Sequence, residues 1–350
     1  MVRVAINGYG RIGRVAHRVM LEKHGTEMEV VAINAGHSTD LKGWMYLLKY
    51  DTSYGHLKGH TLSVEPIKDQ EGFLGNLLID DKKIPVYSQK DPSLLPWKTI
   101  GVDVVIESTG HIKGRHHTDK VGLEDHLKAG AKTVVVSAPV EDTDVSTYVL
   151  SVNEKDYNGN TIISNASCTT NCITPVAKVI EETFGIEKAM MTTVHAYTSD
   201  QKLQDGGHKD YRRARAAAEN IIPTSTGATI AAAQALPALV DKFAGLSLRV
   251  PVAVGSLSDI TFLLKKETTV AEVNAALEAA ANGPYKNIIE TTSDPIVSSD
   301  VVGNPNSSIV DLSLTQVVAG NMVKVVAWYD NEFGYANRLV EEVLLVGSRH

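Results

Sequence analysis

Apolar positions open the chain at strand spacing. Val2-Arg3-Val4-Ala5-Ile6-Asn7 leads into Gly8-Tyr9-Gly10-Arg11-Ile12-Gly13, a helical stretch over 15–24 and a second apolar run over 28–34. Strand, glycine turn, helix and strand within about 30 residues predict a βαβ unit with paired parallel strands. Short β-branched runs recur at 102–106, 133–136 and 161–163. Each reads as a strand buried on both faces of a parallel sheet. Residues 118–130 suit a helix ended by Gly130. The first half is therefore expected to be a doubly wound α/β sheet.

The second half changes character. Residues 247–265 form one long apolar, strand-like stretch, and 322–329 another strand, while helical spacing marks 173–184, 227–243, 270–281 and 333–346. Strands less regularly alternated with helices predict an α+β domain on a mixed or antiparallel sheet, helices on one face. The expected division is a nucleotide-binding domain over 1–166, with a C-terminal helix at 333–350 packing back on it, and a catalytic domain over 167–332. No repeat or linker separates them.

Composition narrows the classes. The chain has 350 residues, 34 Lys+Arg against 41 Asp+Glu, a net charge of −7 and two cysteines. An acidic balance disfavours a phosphate-backbone binder, so no nucleic-acid partner is expected. No apolar run reaches the roughly 18 residues of a membrane helix, so no membrane partner is expected. The strand pattern starting at Val2 predicts no targeting segment. Two cysteines build neither a disulfide scaffold nor a four-cysteine zinc site, and a reducing, cytoplasmic location is expected. The His116-His117 doublet lacks the rest of a metal set, and no metal is expected.

The glycine turn carries the first candidate chemistry. Gly8 permits the tight turn, Gly10 lets the backbone approach a pyrophosphate, and Gly13 allows close helix–strand packing at a helix N-terminus that attracts anions. The acid expected at the end of the second strand is missing: Ile33-Asn34-Ala35-Gly36-His37-Ser38-Thr39 precedes the first acid, Asp40. Without that charge the penalty on a 2′-phosphate disappears, and Ser38 or Thr39 offers a donor to it. This favours NADP or dual use. The alternative gives Asn34 or Asp40 the ribose and keeps NAD.

The second candidate is Cys168, in Ala166-Ser167-Cys168-Thr169-Thr170-Asn171-Cys172 ahead of a helical stretch. A thiol at a helix start sees the positive dipole end, which favours thiolate. The strand over 190–195 ends in His195, a candidate base for that thiol. A nucleotide fold beside a thiol and a base points to aldehyde oxidation through a thioester. Cys172 lies four residues on and reads as structural. The basic segment His208-Lys209-Asp210-Tyr211-Arg212-Arg213-Ala214-Arg215, Arg249 embedded in an apolar strand, and Thr224-Ser225-Thr226-Gly227 before a helix are candidate phosphate ligands.

Taken together, Asn7-Gly8-Tyr9-Gly10-Arg11-Ile12-Gly13-Arg14, Ala166-Ser167-Cys168-Thr169-Thr170-Asn171, His195-Ala196-Tyr197-Thr198 and Trp328-Tyr329-Asp330-Asn331-Glu332 closely resemble phosphorylating glyceraldehyde-3-phosphate dehydrogenases, from Val2 to about Leu345. The resemblance implies oxidative phosphorylation of glyceraldehyde 3-phosphate, with inorganic phosphate as co-substrate, and a homotetramer. Cys168 would be the nucleophile and His195 the base. Ser167, Thr169, Thr226, Gly227 and Arg249 would hold inorganic phosphate. Thr198 and Arg212 would hold the substrate's own phosphate. Arg11 and Ile12 would line the cofactor's pyrophosphate turn and adenosine side. Thr109, Gly110 and Ser137 would touch the cofactor, Asn331 would fix the nicotinamide carboxamide, and Tyr335 would pack nearby.

Two departures matter. NAD-using members usually carry Asp where this chain has Ala35, and Leu-Pro where it has Gly206-Gly207. In the family's tetramer that second loop approaches a neighbour's adenosine ribose, so both changes point towards NADP acceptance and a biosynthetic direction. An erythrose-4-phosphate dehydrogenase is the nearest rival enzyme. A non-catalytic nucleotide- or RNA-binding protein is the rival of another class.

Overall fold

The computed structural model describes residues 1–67, 70–112, 114–116, 121–140 and 142–349. The chain divides into two compact units. One comprises Met1–Thr147, Tyr157–Asn165 and Ala336–His350, the other Tyr148–Asp156 and Ala166–Tyr335.

The first unit begins with β1 (Val2–Asn7), α1 (Arg11–Lys23), β2 (Met28–Asn34) and α2 (Leu41–Lys49). A short ribbon of β3 (Tyr50–Asp51) and β4 (Gly55–His56) precedes β5 (Leu62–Pro66), β6 (Phe73–Ile79) and β7 (Lys82–Tyr87). Then come α3 (Trp97–Ile100), β8 (Val104–Glu107), α4 (Glu124–Lys128), β9 (Thr133–Val136), β10 (Ser146–Thr147) and β11 (Ile162–Ser164). Nine strands form one sheet in the order β10-β11-β9-β8-β1-β2-β7-β6-β5. The body is parallel, while β6 pairs antiparallel with both β7 and β5. Every residue of β8 and β9 is buried, as expected of strands covered on both faces. The βαβ unit and the doubly wound sheet are thus present.

The expected helix over 118–130 is shorter. Residues 117–120 lie outside the described residues, α4 spans Glu124–Lys128, and Gly130 follows it with φ +109°. His116 bonds Glu124 at 2.7 Å. The β5–β7 meander was not expected. Buried positions alternate briefly in β6 and β7 and are absent from β5, too little to stand out from the polar loops around them.

The second unit holds α5 (Cys168–Phe184), β12 (Ile186–Ala196), β13 (Ile222–Ser225), α6 (Ala228–Ala235), β14 (Phe243–Val250), β15 (Ser256–Leu264), α7 (Val270–Asn282), β16 (Ile289–Thr292), β17 (Ser308–Asp311), β18 (Gln316–Val318) and β19 (Met322–Tyr329). Its mixed sheet runs β13-β14-β12-β15-β19-β17-β16, with β18 pairing β19. The helices bury Ile173, Val176, Ile180, Ala232, Val273 and Leu277 against Met191, Ile260, Phe262 and Val325 of the sheet. The last helix, α8 (Phe333–Gly347), joins the first unit from Ala336 onward.

Two expectations fail here. The stretch 247–265 is not one strand: β14 ends at Val250 and β15 starts at Ser256, and β12 lies between them, parallel to β14 and antiparallel to β15. Pro251, with no N–H for a ladder, and Gly255, at φ +98°, fall in the connection. The helix expected over 227–243 ends at Ala235 because Pro237 cannot continue it, and Phe243 already begins β14.

Candidate active site

The local turn into α5 sets the thiol. Ala166 adopts φ +53°, a left-handed conformation unusual for alanine, and the Tyr335 hydroxyl donates to its carbonyl at 3.1 Å. Ser167 follows as N-cap, its Oγ accepting from Thr170 N at 3.1 Å. Cys168 is therefore the first helical residue, with the helix starting earlier than the periodicity at 173–184 indicates.

His195 stands near the end of β12, buried, with Nε2 at 3.4 Å from Cys168 Sγ and Nδ1 at 2.6 Å from the Ala196 carbonyl. A carbonyl only accepts, so Nδ1 carries the proton and Nε2 is left as an acceptor facing the thiol. Burial, and then the Arg249 charge, bring the imidazole down to about 3. Burial pushes the thiol up, and the Arg249 charge and the N–H groups of Thr169 and Cys168 do not reverse it. The imidazole is thus neutral, with burial opposing ionisation of the thiol beside it. Desolvation therefore works against the thiolate that the helix dipole favours.

Residues behind the pair fix its geometry. Thr193 Oγ1 lies 3.1 Å from the Leu257 carbonyl and 2.8 Å from Tyr329 Oη, which is itself 2.8 Å from Thr169 Oγ1. With Thr193 donating to the carbonyl, Tyr329 donates to Thr193 and accepts from Thr169. The Tyr329 ring meets His195 edge-on, centroids 6.0 Å apart. Ala196 N donates to Ser256 Oγ at 3.0 Å, and Ser256 Oγ in turn donates to Asn331 Oδ1 at 3.0 Å. Gly255 N also donates to Asn331 Oδ1, which fixes the amide's orientation and leaves its NH2 available as a donor. Tyr329 and Ser256 were not singled out from sequence. Tyr329 sits beside Asn331 in a motif that carries the family resemblance, which is the signal that points to it.

Arg249 on β14 is the register partner of His195 and donates through Nη1 to Thr198 Oγ1 at 3.0 Å and to the Ala196 carbonyl at 3.4 Å. Its buried Nε has no partner among the described residues. Thr170 Oγ1 donates to the Ala228 carbonyl at 3.4 Å, which ties the first turn of α5 to that of α6. Gly227, the N-cap of α6, is exposed and supplies no side-chain cap. Cys168, Thr198, Thr226, Gly227 and Arg249 therefore share one neighbourhood with an excess of donors. The hydroxyls of Ser167 and Thr169 are engaged by Thr170 and Tyr329, so they meet an anion only as second partners.

Arg212 is not brought into this group. It is exposed, beside a surface depression with Tyr211, Thr224 and Leu246, and its guanidinium makes no hydrogen bond among the described residues. Arg213 is the arginine turned inward, bonding Thr224 Oγ1 at 2.9 Å, the Ser225 carbonyl at 3.2 Å and Asp200 at 2.7 Å. Cys172 is buried, its Sγ 3.7 Å from Ser308 Oγ.

In the first unit, Gly8 has φ +94°, and a Cβ there would stand 2.5 Å from Thr109 N. A Cβ on Gly13 would stand 2.3 Å from the Gly8 carbonyl. Gly10, by contrast, would meet nothing within 4 Å, and no side chain caps the first turn of α1. This backbone-lined space at a helix N-terminus fits a dinucleotide pyrophosphate. Arg11 pairs with Asp51, its guanidinium 5.7 Å from the Tyr54 ring centroid, and Ile12 is half-buried. Asn34 is fully engaged with Asn7 Oδ1 at 2.6 Å and with the Gln89 carbonyl and N–H at 2.9 Å each. Asp40 caps α2 through Gly43 N at 2.7 Å. The two ribose candidates of the NAD reading thus already have structural partners. Ser38 Oγ accepts from Trp44 Nε1 at 2.9 Å and from Asp40 N at 3.4 Å, so its own proton is available to a ligand. Thr109 is held by buried Glu107, which accepts from its N–H at 2.9 Å and from its hydroxyl, and Ser137 N bonds the Glu107 carbonyl at 2.9 Å. Gly110 follows at φ +71° with open space at its Cβ. Among the described residues no group of three or more His, Cys, Asp or Glu could hold a metal, and no helix is long and apolar enough to cross a membrane.

Two family models match the chain. Residues 2–115 match the family described as glyceraldehyde 3-phosphate dehydrogenase, NAD binding domain, and residues 167–331 match its C-terminal domain. A Streptomyces coelicolor protein named glyceraldehyde-3-phosphate dehydrogenase is 49% identical over 351 residues, 99% of both chains. A Mycobacterium leprae protein of that name is 50% identical over 352 residues, again 99% of both. Glyceraldehyde-3-phosphate dehydrogenase 1 of Bacillus cereus is 48% identical over 351 residues, covering 100% of this chain and 99% of that one. The chain belongs to the glyceraldehyde 3-phosphate dehydrogenase family.

Proposed function

We propose that the protein oxidises glyceraldehyde 3-phosphate, with inorganic phosphate, to 1,3-bisphosphoglycerate, reversibly. The observation that carries this reading is the Cys168 thiol facing an acceptor nitrogen of His195 whose other nitrogen is fixed on the Ala196 carbonyl. A nicotinamide cofactor, when bound, supplies the hydride acceptor. Cys168 gives its proton to His195 Nε2 as sulfur bonds the aldehyde carbon, and the proton returns to the new oxygen as a thiohemiacetal hydroxyl. His195 then takes that hydroxyl proton as the carbon loses hydride, leaving a thioester on Cys168. An oxygen of inorganic phosphate attacks the thioester carbon, the carbon–sulfur bond breaks, and Cys168 recovers its proton. Arg249, Thr198, Thr226 and Gly227 hold the anionic groups, because substrate and second nucleophile both carry phosphate. Arg212 is the proposed contact to the substrate's own phosphate, and its side chain is exposed.

NADP or dual cofactor use is part of the proposal. Ala35 places no carboxylate near a 2′-phosphate, Ser38 offers a hydroxyl proton, and Gly207 has open space around it. Gly8, Gly10, Arg11, Ile12, Gly13, Thr109 and Ser137 line the cofactor cradle in this reading, and Asn331 donates to the carboxamide. Asn34 contributes by holding the turn rather than by touching the ribose. A cytoplasmic homotetramer completes the proposal. Exposed Leu203, Tyr211, Ile221 and Ile230, each more than two-thirds accessible, support self-association of the second unit. Initial rates with NAD and NADP, each with and without phosphate, and with erythrose 4-phosphate as rival aldehyde, test the reading. Phosphate-independent turnover, or a preference for the four-carbon aldehyde, would sink it.

A further inference from the structure

The first unit contains a cavity of about 600 Å³, and none of the residues lining it has been assigned a role above. Its lining is apolar where Met20, Leu21, Met28, Ile79 and Ile84 meet, and His17 of α1 is its buried polar member, 1% exposed. His17 Nδ1 lies 2.7 Å from the hydroxyl of buried Tyr9. That hydroxyl has no other partner among the described residues, and a buried O–H without an acceptor is costly, so Tyr9 donates and Nδ1 accepts. His17 Nε2 therefore carries the ring proton, and it has no acceptor among the described residues. Burial, with the nearby His60, brings this imidazole down to about 3, so it is a neutral donor at any working pH. At the rim, Asp80 is bonded to His60, Lys83 to Glu65 and Arg3 to Glu29, while exposed Lys82 has no ion-pair partner among the described residues.

We propose that this cavity is a binding site for a small aliphatic carboxylate, which accepts from His17 Nε2, lays its chain against Met20, Met28 and Ile79, and draws on the Lys82 charge. An unpartnered donor needs an acceptor, the surrounding surface needs an apolar body, and the unpaired rim cation selects an anion. The volume lies within the range of small-molecule sites and accommodates a medium chain. The proposal is independent of the reaction proposed for Cys168.

Octanoate is the probe, titrated calorimetrically into the full chain without cofactor, with 1-octanol as the uncharged control. The expected result is saturable one-site binding of octanoate, weakened about tenfold or more in His17→Phe, as the loss of a hydrogen bond to a charged group predicts. Lys82→Glu, an exposed change that leaves the fold alone, should weaken octanoate several-fold and leave octanol unchanged. A His17→Phe variant that does not fold leaves Lys82→Glu and Leu21→Trp, which fills the cavity, to decide. No saturable binding of octanoate by the wild-type chain overturns the proposal. So does binding that Lys82→Glu and Leu21→Trp leave intact.

Discussion

Tyr329→Phe isolates the support behind the proposed catalytic pair. The change keeps the ring that meets His195 edge-on and deletes only the hydroxyl between Thr169 and Thr193. Thr193 keeps its bond to the Leu257 carbonyl at 3.1 Å, so it loses an incoming donor and no acceptor. Thr169, 3% exposed, loses the oxygen it donates to. One orphaned buried donor costs about 1–3 kcal/mol. In a chain of two such units that corresponds to a melting shift of roughly 2–12 °C, at about 2–4 °C per kcal/mol. The base and its Nδ1–carbonyl bond are untouched, so kcat/KM should fall less than about tenfold. His195→Asn, which removes the proposed general base, should lower it by about 10² to 10⁴. A thermal scan and steady-state rates on both variants give the comparison. If Tyr329→Phe costs as much turnover as His195→Asn, the phenol takes part in proton transfer and the supporting role is wrong. If its melting temperature is unchanged, the directed chain of hydroxyls is wrong.

Four further outcomes follow from the same geometry. Arg249→Gln removes the charge that opposes the rise of the Cys168 thiol, so iodoacetamide alkylation of Cys168 should shift to higher pH, and the KM for phosphate should rise. An unmoved alkylation profile counts against a buried cation at the thiol. Ala35→Asp should raise the NAD-to-NADP ratio of kcat/KM by about tenfold or more, since like charges at close range cost at least about 1.4 kcal/mol. An unchanged ratio separates residue 35 from the 2′-phosphate. His195 is held near 3 against an ordinary 6.5, so its stabilising effect is complete above pH 6.5 and is lost as pH falls towards 3. Between pH 7 and pH 5 that is about 2 kcal/mol, and urea midpoints should fall less over this range in His195→Asn than in the wild type.

How much of the fold and the site is legible in the sequence depends on the kind of signal. The glycine turn, its flanking strands and the thiol ahead of a helix are local patterns, and each came through with small errors of boundary. The start of α5 was missed because a cap acts through one side chain, Ser167, which no hydrophobic period records. The break in 247–265 was missed because continuous apolar sequence is compatible with one long strand or with two separated by another. Within the site, Cys168 and His195 are legible as candidate chemistry, but the burial that opposes the thiolate is not. Sequence shows a helix start, while desolvation depends on what the fold packs around it. The choice between Arg212 and Arg213 is of the same kind. Two adjacent identical residues differ only in which one the loop turns towards Asp200 and Thr224.

The central place of β12 has a consequence for how the protein tolerates change. His195 reaches the thiol because it shares a face with Thr193, two residues back, and side chains on a strand alternate strictly between faces. The base is therefore placed by parity: one residue added within the strand would turn it away from Cys168 while leaving every residue of the site present. Both neighbours defend that parity, β14 by pairing His195 with Arg249 and β15 by pairing Val194 with Leu257. The sheet also contains the place where an odd residue is absorbed. Between Ile186 and Lys188 the register against β15 shifts by one, a bulge at the end of the strand farthest from the base. Length variation between α5 and the base is thus expected to collect at that bulge, where it changes the count without changing the side His195 faces.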